Sequence, residues 1–99
     1  MRIDVVGRDV HVTENIRSYA EKKGEKLPKY FDGTQLVTFR IAKADKLSYT
    51  VECVVDVEKH KEFISSADDQ DIMAAIDQAV HKATRQLTDF KERLKQSNR

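Results

Sequence analysis

The sequence predicts an α+β domain of order β-α-β-β-β-α: a four-stranded mixed sheet with both helices packed on one face. Three observations carry this prediction. Ile72, Ile76, Ala79, Val80, Ala83, Leu87, Phe90 and Leu94 recur at steps of three and four, the spacing of one helix face. Val51, Cys53, Val55 and Val57 alternate with Thr50, Glu52, Val54, Asp56 and Glu58, the spacing of a half-buried strand. A strand, a helix and a second strand open the chain, which implies a right-handed crossover and a parallel first pair. The later strands join through short turns and should be antiparallel.

The elements follow in order. Residues 2–6 alternate Ile3 and Val5 with polar neighbours and stop at Gly7, a first strand. Thr13 is a good N-cap, and Glu14 places negative charge in the first turn, where the helix dipole favours it. Val12, Ile16, Tyr19, Ala20 and Leu27 mark one face of the helix, and Pro28 should end it. Tyr30 and Phe31 are expected to pack that end onto the core, before the turn signal Asp32-Gly33. Residues 36–42 form the second strand, with Val37, Phe39 and Ile41 on one face, and 43–48 a polar connection. The third strand is 49–57. Lys59-His60 fits a short hairpin turn, and 61–67 form a fourth strand with Phe63, Ser65 and Ala67 inward. Asp68, Asp69 and Asp71 gather where the last helix begins, as caps or first-turn acids. The predicted core includes Ile16, Phe39, Val55, Ile76, Ala83 and Leu87, and the outer sheet face is expected to be wet.

At 99 residues the chain makes one domain, expected over 1–95 with a frayed end at 96–99. It has room for one sheet layer and one helix layer, without a deep pocket. No apolar run is long enough for a signal peptide or a membrane span. Met1 leads straight into a strand, so a complete cytoplasmic protein is expected. The single cysteine, Cys53, lies in the inner set of the third strand and reads as a small core residue. It permits no internal disulfide, which fits a reducing compartment.

Little in the chain points to catalysis. His11, His60 and His81 have no metal-ligand spacing relative to one another or to Cys53. Gly7, Gly24 and Gly33 are too far apart for a phosphate-binding loop. No serine has a histidine and an acid in a recognisable motif. Neither an enzyme, a metal, a cofactor nor a small-molecule substrate is expected.

Charge is segregated beneath a net +1. Residues 1–51 carry ten basic and seven acidic residues, net +3; residues 52–77 carry two and eight, net −6; residues 78–99 carry six and two, net +4. On the last helix, Lys82 and Arg85 fall opposite the apolar stripe and should point at solvent. On the first helix, Lys22, Lys26 and Lys29 cluster along one flank, and Glu14, Glu21 and Glu25 along the next. The Lys22–Lys26 and Glu21–Glu25 spacings are i, i+4, which costs an isolated helix about 0.2–0.5 kcal/mol per like-charge pair. A sequence optimised for helix stability would interleave the signs, so a cationic stripe with a use is expected. Lys23 falls near the apolar face and should snorkel at its edge.

Several strings resemble the ribosome hibernation-promoting factor family, also described as ribosome-associated translation inhibitors. Residues 3–17 (IDVVGRDVHVTENIR) resemble that family's strand, Gly-Arg turn and Thr-capped helix. Residues 22–27 followed by Tyr30-Phe31 resemble the end of its first helix. The most specific match is residues 71–77 (DIMAAID) followed by Lys82, Arg85, Gln86 and Leu87. The resemblance covers nearly the whole chain. It implies a fold similar to double-stranded RNA-binding domains. It also implies binding to the small ribosomal subunit, in the channel used by messenger RNA and by the anticodon ends of transfer RNA, with inhibition of translation under stress or in stationary phase. By motif, the implied ribosomal RNA contacts are Lys82, Arg85, Lys22 and Lys26, with Arg8 in the Gly-Arg turn. Lys29, Lys91 and Lys95 are added on charge alone. Met73 stands where the family usually carries an aromatic residue. A long C-terminal extension and an acidic tail are both lacking, so a short form or an isolated N-terminal domain is expected, monomeric in solution, with rRNA and ribosomal proteins as partners. The alternative is a protein-interaction module that modulates transcription through Glu52, Asp56 and Glu58 on the outer sheet face.

Overall fold

The computed structural model describes residues 1–97. The elements are β1 (Arg2–Arg8), α1 (Glu14–Gly24), a 3-10 turn (Leu27–Lys29), β2 (Thr34–Lys43), β3 (Tyr49–Val57), β4 (Glu62–Asp69) and α2 (Ile72–Ser97). Of the end expected to fray, Gln96 and Ser97 belong to α2, and Asn98 and Arg99 lie outside the described residues. The strands lie in the order β1-β2-β3-β4. β1 runs parallel to β2, and β3 and β4 follow antiparallel, as the crossover and the short turns predict. Among the described residues, no helix is long and apolar enough to cross a membrane.

Both helices cover one sheet face. The inner rows Val37, Phe39, Ile41 and Val51, Cys53, Val55 meet Ile76, Ala79, Ala83 and Leu87 of α2, all fully buried. Ile16 is only half-buried at the margin of this core. The outer face is less wet than expected. Val54 is 3% exposed there, because its register partners Thr38 and Ile64 flank it on both sides of a central strand.

Local chemistry sets the helix ends. The Thr13 hydroxyl accepts the Ile16 amide at 3.2 Å, as an N-cap should. α1 stops at Gly24, earlier than a helix ended by Pro28 would. After Gly24 the bonding tightens to i→i+3, with Lys26 N–H donating to Lys23 O at 3.3 Å, while Glu25 and Lys26 keep right-handed helical angles. Pro28 then sits inside the 3-10 turn, where its missing N–H costs little. Leu27 is buried as predicted, whereas Tyr30 is 40% exposed and does not pack onto the core. Phe31 does pack, stacked on Phe90 at 5.6 Å and edge-on to His60. The acids before α2 divide their tasks. Asp71 accepts the Met73 amide, Asp69 accepts the Asp71 amide and the Gln78 side chain, and Asp68 accepts the Thr50 hydroxyl. The hydrogen bonds that Asp69 accepts hold its carboxyl below the usual carboxylate range.

Gly7 is the one glycine that geometry demands. A Cβ there would run into the carbonyl oxygen of Val10 and lie 2.8 Å from Cγ2 of Val12. The chain must fold back tightly after β1, and Asp9 completes the turn with φ of 56°.

Ile76→Ala should cost about 2–5 kcal/mol in urea denaturation, as truncations of fully buried aliphatic residues do. A loss below about 0.5 kcal/mol would mean that α2 does not seal the sheet.

Candidate nucleic-acid interface

Three side chains fix how the helices face each other. The Tyr19 hydroxyl donates to both carboxylate oxygens of Asp77 at 2.8 Å, and Lys23 Nζ lies 3.4 Å from the same group. Lys23 also sits over the Tyr19 ring, 5.4 Å from its centroid. On the other flank of α1, Arg17 Nη1 donates to the Val5 carbonyl of β1 at 3.4 Å. At 100° per residue these contacts orient the whole helix. Lys22 lies beyond Tyr19, on the α2 side; Glu14 and Glu21 lie beyond Arg17, on the β1 side; Glu25 and Lys26, predicted on this helix, fall just past its end. The hydrogen bond to Asp77, chiefly, and the loss of water raise the Tyr19 phenol above its ordinary value.

Lys26 lines a groove between the helices. Lys23 and Tyr30 line one wall, and Asp77, Val80, His81 and Thr84 of α2 the other. Lys22 is exposed one turn earlier on the same flank. Lys29 and Lys91 are exposed near the far end of the helix pair.

Lys82 and Arg85 belong to the opposite flank of α2, toward β4, where they share a hollow with Ser66 and Gln86. Both are exposed. Lys82 is not directed straight to solvent, however: its ammonium donates to the Ser66 carbonyl at 2.7 Å. Gln86 does the same for Ile64 at 3.0 Å. Arg8 stands apart from both helical flanks, in a hollow with Asp9, Ala42 and Lys43.

These cations share a property that sequence could not show. Among the described residues, Arg8, Lys22, Lys26, Lys29, Arg85 and Lys91 make no ion pair within 4.0 Å. By contrast, Arg2 pairs with Asp4, Lys23 with Asp77, and Arg40 with Glu52. Two of those pairs lie on the open sheet face. Glu52, an acid of the protein-interaction alternative, is thus held by Arg40 at 2.9 Å. Asp77, Tyr30, His81 and Gln86 appear in the sequence reading, but not as residues of the site. The Tyr19–Asp77 bond spans 58 residues, and no local spacing announces it.

Cys53 is buried, and loss of water pushes its thiol up to about 12, which removes it as a nucleophile at neutral pH. Among the described residues, no group of three or more histidine, cysteine or acidic side chains could hold a metal ion.

The architecture is that of a recurrent class of small α+β domains, a helix pair laid across one face of a four-stranded mixed sheet. A ribosomal subunit interface protein from Coxiella burnetii shares the fold with a TM-score of 0.84 at 23% identity, covering 93% of this chain and 99% of that one. The Thermus thermophilus Protein Y N-terminal domain matches with a TM-score of 0.79 at 32% identity, over 91% of this chain and 99% of its own. Ribosome hibernation promoting factors align along almost the whole sequence. That of Escherichia coli (strain K12) is 36% identical over 96 residues, 97% of this chain and 99% of the relative. That of Azotobacter vinelandii is 32% identical, over 94% of this chain and 85% of the relative. Residues 3–95 match the family described as Sigma 54 modulation protein / S30EA ribosomal protein, and the chain belongs to it.

The Cys53 environment gives a pH expectation. The folded thiol stays neutral to about 12, against an ordinary value of 9.0 for the unfolded chain. Its contribution to stability is therefore complete below pH 9.0 and is lost as pH rises toward 12. Thiol-reagent labelling at pH 8 should be slow in the native protein and complete in denaturant; equal rates would contradict the burial.

Proposed function

We propose that this protein is a ribosome hibernation factor of the cytoplasm. It binds the small subunit in the channel used by messenger RNA and by the anticodon ends of transfer RNA. It does so through ribosomal RNA, and it inhibits translation under stress or in stationary phase. The observation that carries this reading is a set of exposed cations with no ion pair among the described residues: Lys22, Lys26 and Arg85, singled out by motif and by charge, Arg8 by motif, and Lys29 and Lys91 by charge alone. A cation without an acidic partner gives up no ion pair when it meets a phosphate. Each neutralised phosphate releases condensed counterions, which supplies affinity without reading bases. Lys82 joins the set, because the Ser66 carbonyl occupies one of its three N–H donors and cancels none of its charge. Occupation of the channel would exclude messenger RNA sterically, so no reacting group or cofactor is needed.

Family membership supports the ribosomal part of the reading, and the helix geometry supports the RNA part. The acidic outer face offers less to a protein partner than its composition implies, since Glu52 is neutralised by Arg40.

The double substitution Lys82→Glu and Arg85→Glu should abolish co-sedimentation with small subunits and leave the thermal melt nearly unchanged. Wild-type inhibition of in vitro translation by that variant would refute the assignment. For the wild type, log K should fall steeply with log salt, by about 0.7–0.9 per phosphate neutralised. Replacing Lys22 and Lys26 with Gln should flatten the slope by about one to two units. Reversing Glu52, Asp56 and Glu58 should change neither affinity nor slope; loss of binding in that variant would point instead to a protein partner.

A further inference from the structure

The groove between α1 and α2 holds a feature that phosphate neutralisation does not use. The chain places two aromatic residues side by side after the 3-10 turn, and they point opposite ways. Phe31 turns inward against Phe90 and His60. Tyr30 turns outward, 40% exposed, with no ring partner and no hydrogen bond to its hydroxyl among the described residues. It forms one wall of a groove of about 260 Å³. A pocket that encloses a drug-sized ligand has about 300–1,000 Å³, so this groove can seat part of one nucleotide, a base face or a phosphate, rather than enclose it.

The groove also has the chemistry of a nucleotide. Tyr30 offers a flat π-face, and Val80 an apolar surface across from it. Lys26 and His81 stand at the groove with no ion pair among the described residues, where a backbone phosphate would need them. The one acid present, Asp77, is already engaged by the Tyr19 hydroxyl and by Lys23, which lessens its repulsion of an anion. Thr84 supplies a hydroxyl for a base edge or a ribose. Proteins that take single-stranded RNA combine a cationic track with aromatic faces on which unpaired bases stack. A base inside a duplex has no free face to offer.

We propose that the α1–α2 groove is a subsite for one unpaired RNA nucleotide, with Tyr30 stacking on its base and Lys26 and His81 holding its phosphate. The proposal rests on the ribosomal reading above and sharpens it. The cations act on any polyanion, and Tyr30 makes the protein prefer exposed, unpaired nucleotides.

The test uses fluorescence anisotropy with a labelled single-stranded RNA decamer and with the corresponding duplex, on the wild type, Tyr30→Phe and Tyr30→Ala. Tyr30→Ala should weaken single-strand binding roughly 5- to 150-fold, the range of one base–aromatic stack, and alter duplex binding less than about twofold. Tyr30→Phe should bind the single strand like the wild type. All three should melt alike, because Tyr30 is not part of the core. Unchanged single-strand affinity in Tyr30→Ala, an equal loss on both RNAs, or no wild-type binding to the decamer would overturn the proposal. Sedimentation of the wild type with small subunits, run in parallel, tests the ribosomal reading by itself. A protein that leaves the subunit unbound yet shows the Tyr30 dependence would sink that reading and keep the subsite.

Discussion

One-sided burial governs this molecule. The inner row of β3, from Val51 to Val57, is apolar without interruption and must be covered. Only one face of the sheet is apolar enough to need a layer, and both helices lie on it. α2 supplies the larger cover, with Ile76, Ala79, Ala83 and Leu87 fully buried. The crossover between the parallel strands β1 and β2 sets α1 beside it. Burying a large aliphatic side chain contributes about 1.5–3 kcal/mol, against about 0–1 for an exposed ion pair. The core therefore decides where the helices lie. The contacts of Tyr19 and Lys23 with Asp77 decide how α1 is turned. The polar backs of both helices then face the same solvent, and a two-helix surface follows from the packing.

That surface is sorted by charge. Because α1 stops at Gly24, Glu25 and Lys26 fall beyond it, and the like-charge i, i+4 pairs predicted for the first helix do not lie within α1. An ion pair between Lys23 and Asp77 joins the two helices. Asp77 takes the cation nearest the core and leaves Lys26, one turn-step further out, unpaired. Two further ion pairs, Arg2 with Asp4 and Arg40 with Glu52, sit on the open sheet face. Asp4 and Glu52 thus have cationic partners on the sheet, whereas Lys22, Lys26 and Arg85 beside the helices have no ion pair among the described residues.

Much of this was legible in the sequence, because the two hydrophobic periods are strong. The limits of β3 came from strict alternation, the start of α1 from Thr13, and the direction of the sheet from the connection lengths. Lys22, Lys26, Lys82 and Arg85, the contacts proposed for RNA, were suggested by the helix projections and the family strings together. What sequence missed has a common cause. The end of α1 depends on how the chain tightens before Pro28, and proline marks a boundary without stating which side of it the helix stops. The exposure of Tyr30 depends on a one-residue difference in direction from Phe31, which periodicity cannot assign outside a regular element. The burial of Val54 comes from neighbours on two other strands. Asp77 reads locally as one more acid in an amphipathic helix, and its partners are supplied by α1.

Lys82 shows how one side chain can satisfy the fold and keep its charge. β4 is an edge strand, and an uncovered edge invites pairing with another chain. The outward carbonyls of Ile64 and Ser66 are occupied by Gln86 and Lys82 from the helix above. A glutamine could fill either position as a donor, and at position 86 it does. At 82 the donor is an ammonium, which cancels no charge by bonding to a neutral carbonyl and keeps two N–H groups for solvent or an anion. The hydrogen bond also limits the rotamers of a long flexible side chain, so part of the entropy cost of placing the cation is met before any partner arrives. Arg85, one turn on and without such a tether, has greater reach and a planar fork suited to two phosphate oxygens. A fixed cation beside a free one, on the flank that also seals the sheet edge, joins the structural and the electrostatic parts of this fold at a single turn of α2.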